Sequence, residues 1–376
     1  MHPIDTSANA VSPHPKFLRR AFGTGVAALA LAFAAVPAAY AQTACDADIN
    51  GDGVVGAPDL AALLGAWGAC SGCASDVNND GLVDAADLSA LLGLWGGTCS
   101  QLPWATVLES AADPAVVTNG ALRKAIAATG LPWRVRDNAT QIEMLLVPPG
   151  TFNMGCSTSN EFGCQSDEYP VHAVTLTNAF YLGRYEVTQA QWTAKMGSNP
   201  SFFQSASAQV PAAQVPNRPV EEVSWNTIQG FLSATGLRLP TEAEWEYAYR
   251  AGTTTAFHSM PGFPNGTNDD NQVGNIAWFN SNSASQTRPV GGKAANALGL
   301  HDMSGNVWEW VNDWYSGSYY ASSPSVNPPG PSSGSSRGDR GGSWNSDNND
   351  LRSSYRTYTT PGFSFYNRGF RVARAP

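Results

Sequence analysis

Leu60, Leu63, Leu64 and Trp67 recur at helical spacing, and the same residues return 28 positions later as Leu88, Leu91, Leu92 and Trp95. The pattern predicts two short amphipathic helices, each with an apolar stripe that must bury itself against the other. From about residue 134 the period shortens to two. Trp133–Asp137, His172–Leu176 and Phe180–Leu182 alternate like strands, and Ile142–Val147 and Gly150–Met154 read as two strands around a tight turn. Helices are few here. Thr188 caps one that carries Trp192. Ser224 caps Trp225–Thr235, which Gly236 stops. Thr241 and Glu244 form a capping box before Trp245–Ala251, ended by Gly252. The expected fold is a largely irregular α+β domain over residues 134–376. A small α domain over 45–99 precedes it, and residues 100–133 form a linker with one short helix at 121–129.

Composition narrows the function class. Charged residues are 14% of 376, against ~25% in average soluble domains. Twelve Trp argue against disorder, and a net charge of −9 argues against a nucleic-acid partner. Lys16, Arg19 and Arg20 precede an apolar run that ends Ala39-Tyr40-Ala41, which reads as a cleavable signal peptide over residues 1–41. The expectation is a secreted, extracellular or periplasmic protein with no stable membrane insertion after cleavage. Arg19-Arg20-Ala21-Phe22 resembles a twin-arginine signal, so either that route or the general secretory one is open. All six cysteines, Cys45, Cys70, Cys73, Cys99, Cys156 and Cys164, are expected in disulfides. The simplest pairing is Cys45–Cys70, Cys73–Cys99 and Cys156–Cys164.

In front of each predicted helix of the 45–99 region lies an acidic loop. Asp48, Asn50, Asp52 and Asp59 fall at loop positions 1, 3, 5 and 12. Asp76, Asn78, Asp80 and Asp87 do the same in the second copy, and Gly53 and Gly81 stand at position 6. Hard oxygen donors on a Gly-centred bend are what Ca²⁺ takes, with the Val54 and Leu82 carbonyls adding one oxygen each. Val55 and Val83, at position 8 of the two loops, are placed to pair with each other. Without an entering helix, and with Asp at position 12, the region resembles a type I dockerin, two EF-hand-type loops in tandem. The resemblance implies a cohesin-like protein partner. Positions 10 and 11, which help choose that partner and often carry hydroxyls, are Ala57-Pro58 and Ala85-Ala86.

Four motifs follow in order in the large domain: Leu239–Ala248 (LPTEAEWEYA), Gly299–Trp310 (GLHDMSGNVWEW), Arg340–Trp344 (RGGSW) and Asn367–Arg371 (NRGFR). They are similar to the formylglycine-generating enzyme (sulfatase-modifying factor) family. The resemblance implies a loop-rich C-type-lectin-like fold with calcium held by the Asp302 and Glu309 side chains and the Gly305 and Val307 carbonyls. It implies a second calcium at Asn275, the Ile276 carbonyl and a position where Asn282 stands instead of Asp, which weakens that site by one charge. Trp308, Ser343, Trp344, Asn345 and Ser346 correspond to its pocket.

The family's oxidation of cysteine uses two thiolates on Cu(I) after Gly-Gly-Ser. Here Ser346 stands at the first of those positions, Leu351 takes the place of the second, and no Cys occurs from 165 to 376. A neutral hydroxyl and a hydrocarbon do not hold Cu(I), so Ca²⁺ is the expected cofactor and copper is not. Three readings follow. The domain binds a glycan or peptide ligand through Asn345–Asp350 and the Tyr358, Phe363, Phe365 and Tyr366 loops, as accessory domains do. It is a formylglycine-generating oxidase acting on sulfatase cysteine by other residues. Or it is a scaffold subunit anchored by its dockerin-like region.

Overall fold

The computed structural model describes residues 44–50, 53–70, 72–97, 102–157 and 163–376. The signal segment, Asp52, Cys99 and the side chain of Cys45 lie outside the described residues.

Two nine-residue helices, Ala57–Gly65 and Ala85–Gly93, form the N-terminal region. Asp59 and Asp87 sit in their first turns and turn back onto the backbone amides of Gly56 and Asp84. The apolar stripes are only half used. Leu63 and Leu91 are fully buried with Ala47, Val55, Val77 and Val83, while Leu64, Trp67, Leu92 and Trp95 stay about half exposed. Helices this short meet over little more than one turn, so the outer positions of each stripe have nothing to pack on. Nor do Val55 and Val83 pair with each other. Val55 bonds to Gly96 and Gly97 beyond the second helix, and Val83 pairs with Gly68 beyond the first. Cys70 bonds Cys73, not Cys45, because the turn at Gly72 (φ +74°) brings their Cα atoms to 6.0 Å. The Cys73–Cys99 pairing is excluded with it. Cys156–Cys164 forms as expected.

The large domain is built on a five-stranded antiparallel sheet. Its strand order is Ala373–Arg374, Phe180–Gly183, Glu143–Val147, Arg134–Asp137, Ala105–Glu109. The last of these lies inside the segment read as a linker, so the sheet reaches back to residue 105. Gly150–Met154 does not pair with Glu143–Val147. After Pro148-Pro149 the chain leaves the sheet, and the second strand pairs with His172–Leu176. A four-stranded sheet, Thr357–Thr359, Arg337–Arg340, Trp308–Trp314 and Arg368–Gly369, takes up parts of the last three sequence motifs, while the first lies on a helix. Helices Gln189–Met196, Trp225–Thr235 and Glu242–Arg250 start at the expected caps, Thr188, Ser224 and Thr241. The third stops one residue early, capped by Ala251 in the left-handed conformation, and Gly252 follows at positive φ as well. Trp245, Trp310, Phe231, Tyr249 and Phe370 fill the space between helices and sheets.

Candidate functional site

Asp302, Gly305 and Asn306 all take positive φ, so the chain doubles back before entering strand Trp308–Trp314. Gly305 is required there, since a Cβ would lie 2.2 Å from the Trp278 carbonyl oxygen. The bend delivers Asp302 and Glu309 to one buried cluster. Glu309 accepts Trp245 Nε1 at 2.6 Å and Arg371 Nε at 2.6 Å, and its second oxygen accepts the Arg371 Nη2. Asp302 Oδ2 accepts the Gly291 amide at 2.6 Å, and its Oδ1 is buried without a hydrogen-bond partner. Sequence reading missed a third acid. Glu186 accepts the Val307 amide at 3.0 Å and Asn306 Nδ2 at 2.6 Å from inside the same cluster. Its one sequence signal is a carboxylate between Tyr185 and Val187 just ahead of a helix cap.

Burial, then the Asp302 and Glu309 charges, push the Glu186 carboxyl well above its usual range. Burial also lifts Asp302 to about 6. Three buried acids thus share one guanidinium, that of Arg371. An orphaned carboxylate oxygen in an acid-rich core fits a hard cation. Asp302 is the residue with capacity to hold it, because both oxygens of Glu309 already accept hydrogen bonds.

At the second calcium position the residues do not fit. Asn282 spends both ends of its amide locally, Oδ1 on the Phe279 amide at 2.9 Å and Nδ2 on the Ala277 carbonyl at 2.9 Å. Asn275 Nδ2 donates to Gln272 Oε1, and the Asn275 carbonyl accepts the Ala294 amide at 3.1 Å. In the N-terminal loops, Asp59 takes the Asn50 amide and Asp87 the Asn78 amide, each at 3.0 Å. Asp48 accepts from Gly53, and Asp76 from Asp80 and Gly81. Asn78 accepts from Asp80, and Asp80 from Leu82. Oxygen side chains folded round glycines of positive φ match a hard cation in donor chemistry. Among the described residues no three His, Cys, Asp or Glu side chains, those of Asp302, Glu186 and Glu309 included, converge closely enough to hold one metal ion between them.

The Gly-Gly-Ser-Trp turn packs its second glycine against Leu351, where a Cβ would meet Leu351 Cδ2 at 2.5 Å. Leu351 is fully buried in the cluster of Phe257, Met260, Ile276 and Phe279. Ser346 Oγ accepts the Ser343 amide at 3.2 Å and lies 3.3 Å from Ser343 Oγ, which donates to Asn345 Oδ1 at 2.7 Å. Ser346 and Tyr355 also bond to Asp350, whose carboxyl is raised by burial in spite of them. Trp308 stands on the adjoining strand, its amide on the Asn367 carbonyl and its ring 6.0 Å from Tyr355.

Beside Ser343–Ser346 four rings touch in a circuit. Phe202 meets Phe203 and Tyr366, and Trp344 meets Phe203 and Tyr366, with centroids 5.0–5.8 Å apart. Phe202 is 68% exposed. Asn367 Nδ2 donates to Asn345 Oδ1 at the rim. Glu221, fully buried below, accepts the Phe202 and Phe203 amides at 3.0 and 2.9 Å and fixes their loop. Of the loop aromatics singled out from sequence, Tyr366 joins this circuit, Phe363 stacks on Phe365, and Tyr358 stacks elsewhere, on Tyr315. Cavities of about 550 and 820 Å³ lie apart from it, the first lined by Phe152, Tyr247 and Arg250 and the second by Phe180, Arg238 and Glu244.

The sulfatase-modifying factor enzyme 1-like domain matches residues 131–376. The chain belongs to this family. Over 312 residues it is 33% identical to the formylglycine-generating enzyme of Streptomyces coelicolor, covering 66% of this chain and 93% of that enzyme. It is also 33% identical over 250 residues to the serine/threonine-protein kinase pkn1 of Chlamydia caviae. That match takes in 62% of this chain, which spans only 38% of the kinase's length. Two solved structures superpose with a TM-score of 0.54. They are Treponema denticola variable protein 1, 30% identical over 62% of this chain and 95% of that one, and PvdO from Pseudomonas aeruginosa, 29% identical over 65% and 98%. The described residues contain no helix long and apolar enough to cross a membrane.

Proposed function

We propose that this family member is an exported, calcium-stabilised modular protein whose large domain binds a glycan or peptide rather than oxidising cysteine. The reading rests above all on Leu351. The family's copper chemistry needs a thiolate there, and this side chain instead completes a buried apolar cluster. Next to it lies the circuit of Phe202, Phe203, Trp344 and Tyr366 with Asn345 and Asn367 at its rim, a composition suited to stacking and amide recognition. In the same reading residues 45–99 are a dockerin-like module. Calcium is held by its two acidic loops and by Asp302, and the half-exposed Leu64, Trp67, Leu92 and Trp95 are its contact surface for a cohesin-like protein.

A second reading, formylglycine generation, is favoured by the match to nearly the whole length of the Streptomyces enzyme. One experiment separates the two. The purified chain is incubated with Cu(I), O₂ and a Cys-x-Pro-x-Arg peptide, and the peptide mass is followed for conversion of thiol to aldehyde. The expected result is no turnover above a metal-only blank, together with retention of a defined ligand on a glycan and peptide array. Turnover would overturn the binding-only assignment.

A further inference from the structure

Lys293 is half-buried, and its ammonium does not face a carboxylate. Nζ donates to the Gly274 carbonyl at 2.5 Å and lies 4.0 Å from the centre of the Trp278 ring, whose surroundings also hold Arg288 at 4.8 Å. Among the described residues neither Lys293 nor Arg288 forms an ion pair. This is where the family resemblance implies the second calcium. Gly274 precedes Asn275 and Ile276, the amide of Ala294 closes on the Asn275 carbonyl at 3.1 Å, and a Cβ on Gly274 would meet Asn282 Nδ2 at 3.7 Å. We infer that Lys293 is a built-in cation that takes over the structural task of that calcium, so that the large domain binds no metal at Asn275, Ile276 and Asn282.

The chemistry is consistent on every side. A carbonyl oxygen and a ring face are the neutral, electron-rich partners an ammonium accepts when no carboxylate is at hand. Replacing the acid of the metal site by Asn282 removes the negative charge a divalent ion would require. Two cations around Trp278 repel a third strongly in a partly buried setting. Burial, aided by Arg288, lowers the Lys293 pKa, and its bond to the carbonyl holds the ammonium in place. The inference stands whether or not the domain binds a glycan or peptide.

The test uses the full chain. Bound calcium per chain is measured by equilibrium dialysis for wild type, Lys293→Met, Asn282→Asp and the double variant, so that ions held elsewhere cancel in the differences. Wild type and Asn282→Asp should bind the same number, and the double variant one more. Thermal midpoints should fall for Lys293→Met in calcium and in chelator alike, and Lys293→Arg should recover most of the loss. Amine acetylation of unaltered protein supplies a measure free of folding defects. Per free amine, with each rate corrected for the amine's own titration, Lys293 should react at least tenfold more slowly than the exposed Lys124. Equal calcium counts in wild type and double variant, a midpoint unmoved by Lys293→Met, or equal labelling of Lys293 and Lys124 would each overturn the inference.

Discussion

Replacing Arg371 by Met removes the one guanidinium that three buried acids share. Arg371 is fully buried. It forms a two-pronged contact with Glu309 and donates to the Gly183 carbonyl at 3.0 Å and the His301 carbonyl at 3.0 Å. The variant leaves Glu309 with Trp245 alone and takes the guanidinium's charge away from Asp302 and Glu186. Breaking a buried pair by removing one partner costs about 3–5 kcal/mol, because the remaining charge is stranded. For a domain of this size each kcal/mol moves the midpoint about 2–4 °C, so a fall of about 6–20 °C is expected. Differential scanning calorimetry of the full chain reads it directly. Arg371→Lys, which keeps the charge but loses the fork, should fall less. Glu309→Gln added to Arg371→Met should recover part of the loss, since it discharges the stranded acid. A midpoint for Arg371→Met within about 2 °C of wild type would show that the cluster is not organised by this residue.

The other expectations are simpler to check. Burial raises the Glu221 carboxyl to about 7, well above its unfolded value. The folded state therefore holds this proton more tightly, and stability present below about pH 4.5 is lost as pH rises through 7, by about 3 kcal/mol in all. Urea midpoints of wild type should follow that slope between pH 5 and 8, and Glu221→Gln should flatten it. Phe202→Ala, at an exposed ring, should change stability by less than ~0.5 kcal/mol and weaken array-identified ligand binding about tenfold; unchanged binding would move the ligand off this face. Chelation after reduction of disulfides should raise hydrogen exchange in Ala57–Gly65 and Ala85–Gly93, since metal binding and folding are linked. Equal protection with and without chelator would separate these helices from calcium.

What the sequence disclosed was local. The caps at Thr188, Ser224 and Thr241 depend on residues three apart, and each helix begins where those residues place it. The motifs around Asp302 and Ser343 are contiguous, so their members stand side by side in the chain as they do in the fold. Glu186 and Glu221 were invisible because each gains its meaning from residues 121 and 18 positions away, Val307 and Phe203. Phe202 and Phe203 likewise join Trp344 only through the tertiary fold. The cysteine pairing followed a turn at Gly72 that brought two near neighbours together, whereas spacing alone had suggested one staple per repeat. Alternation found the strands Glu143–Val147 and Gly150–Met154 but could not say that Pro148-Pro149 sends them to different sheets.

The pairing of Phe180–Gly183 with Ala373–Arg374 has a consequence for how the protein is made. About 190 residues separate the partners, and at a synthesis rate of about 5–20 residues per second the earlier strand waits roughly 10–40 s for the later one. Throughout that interval one rim of the main sheet offers unpaired amides and carbonyls, next to Tyr181 and Leu182, which are fully buried in the finished fold. A holdase in the producing cell has a defined target in that window, and a heterologous host lacking one should yield inclusion bodies whose ordered core contains residues 180–183. Slowing translation after residue 183 lengthens the exposure, so codon choice in the downstream half of the reading frame should govern recovery of folded protein more strongly than codon choice before it.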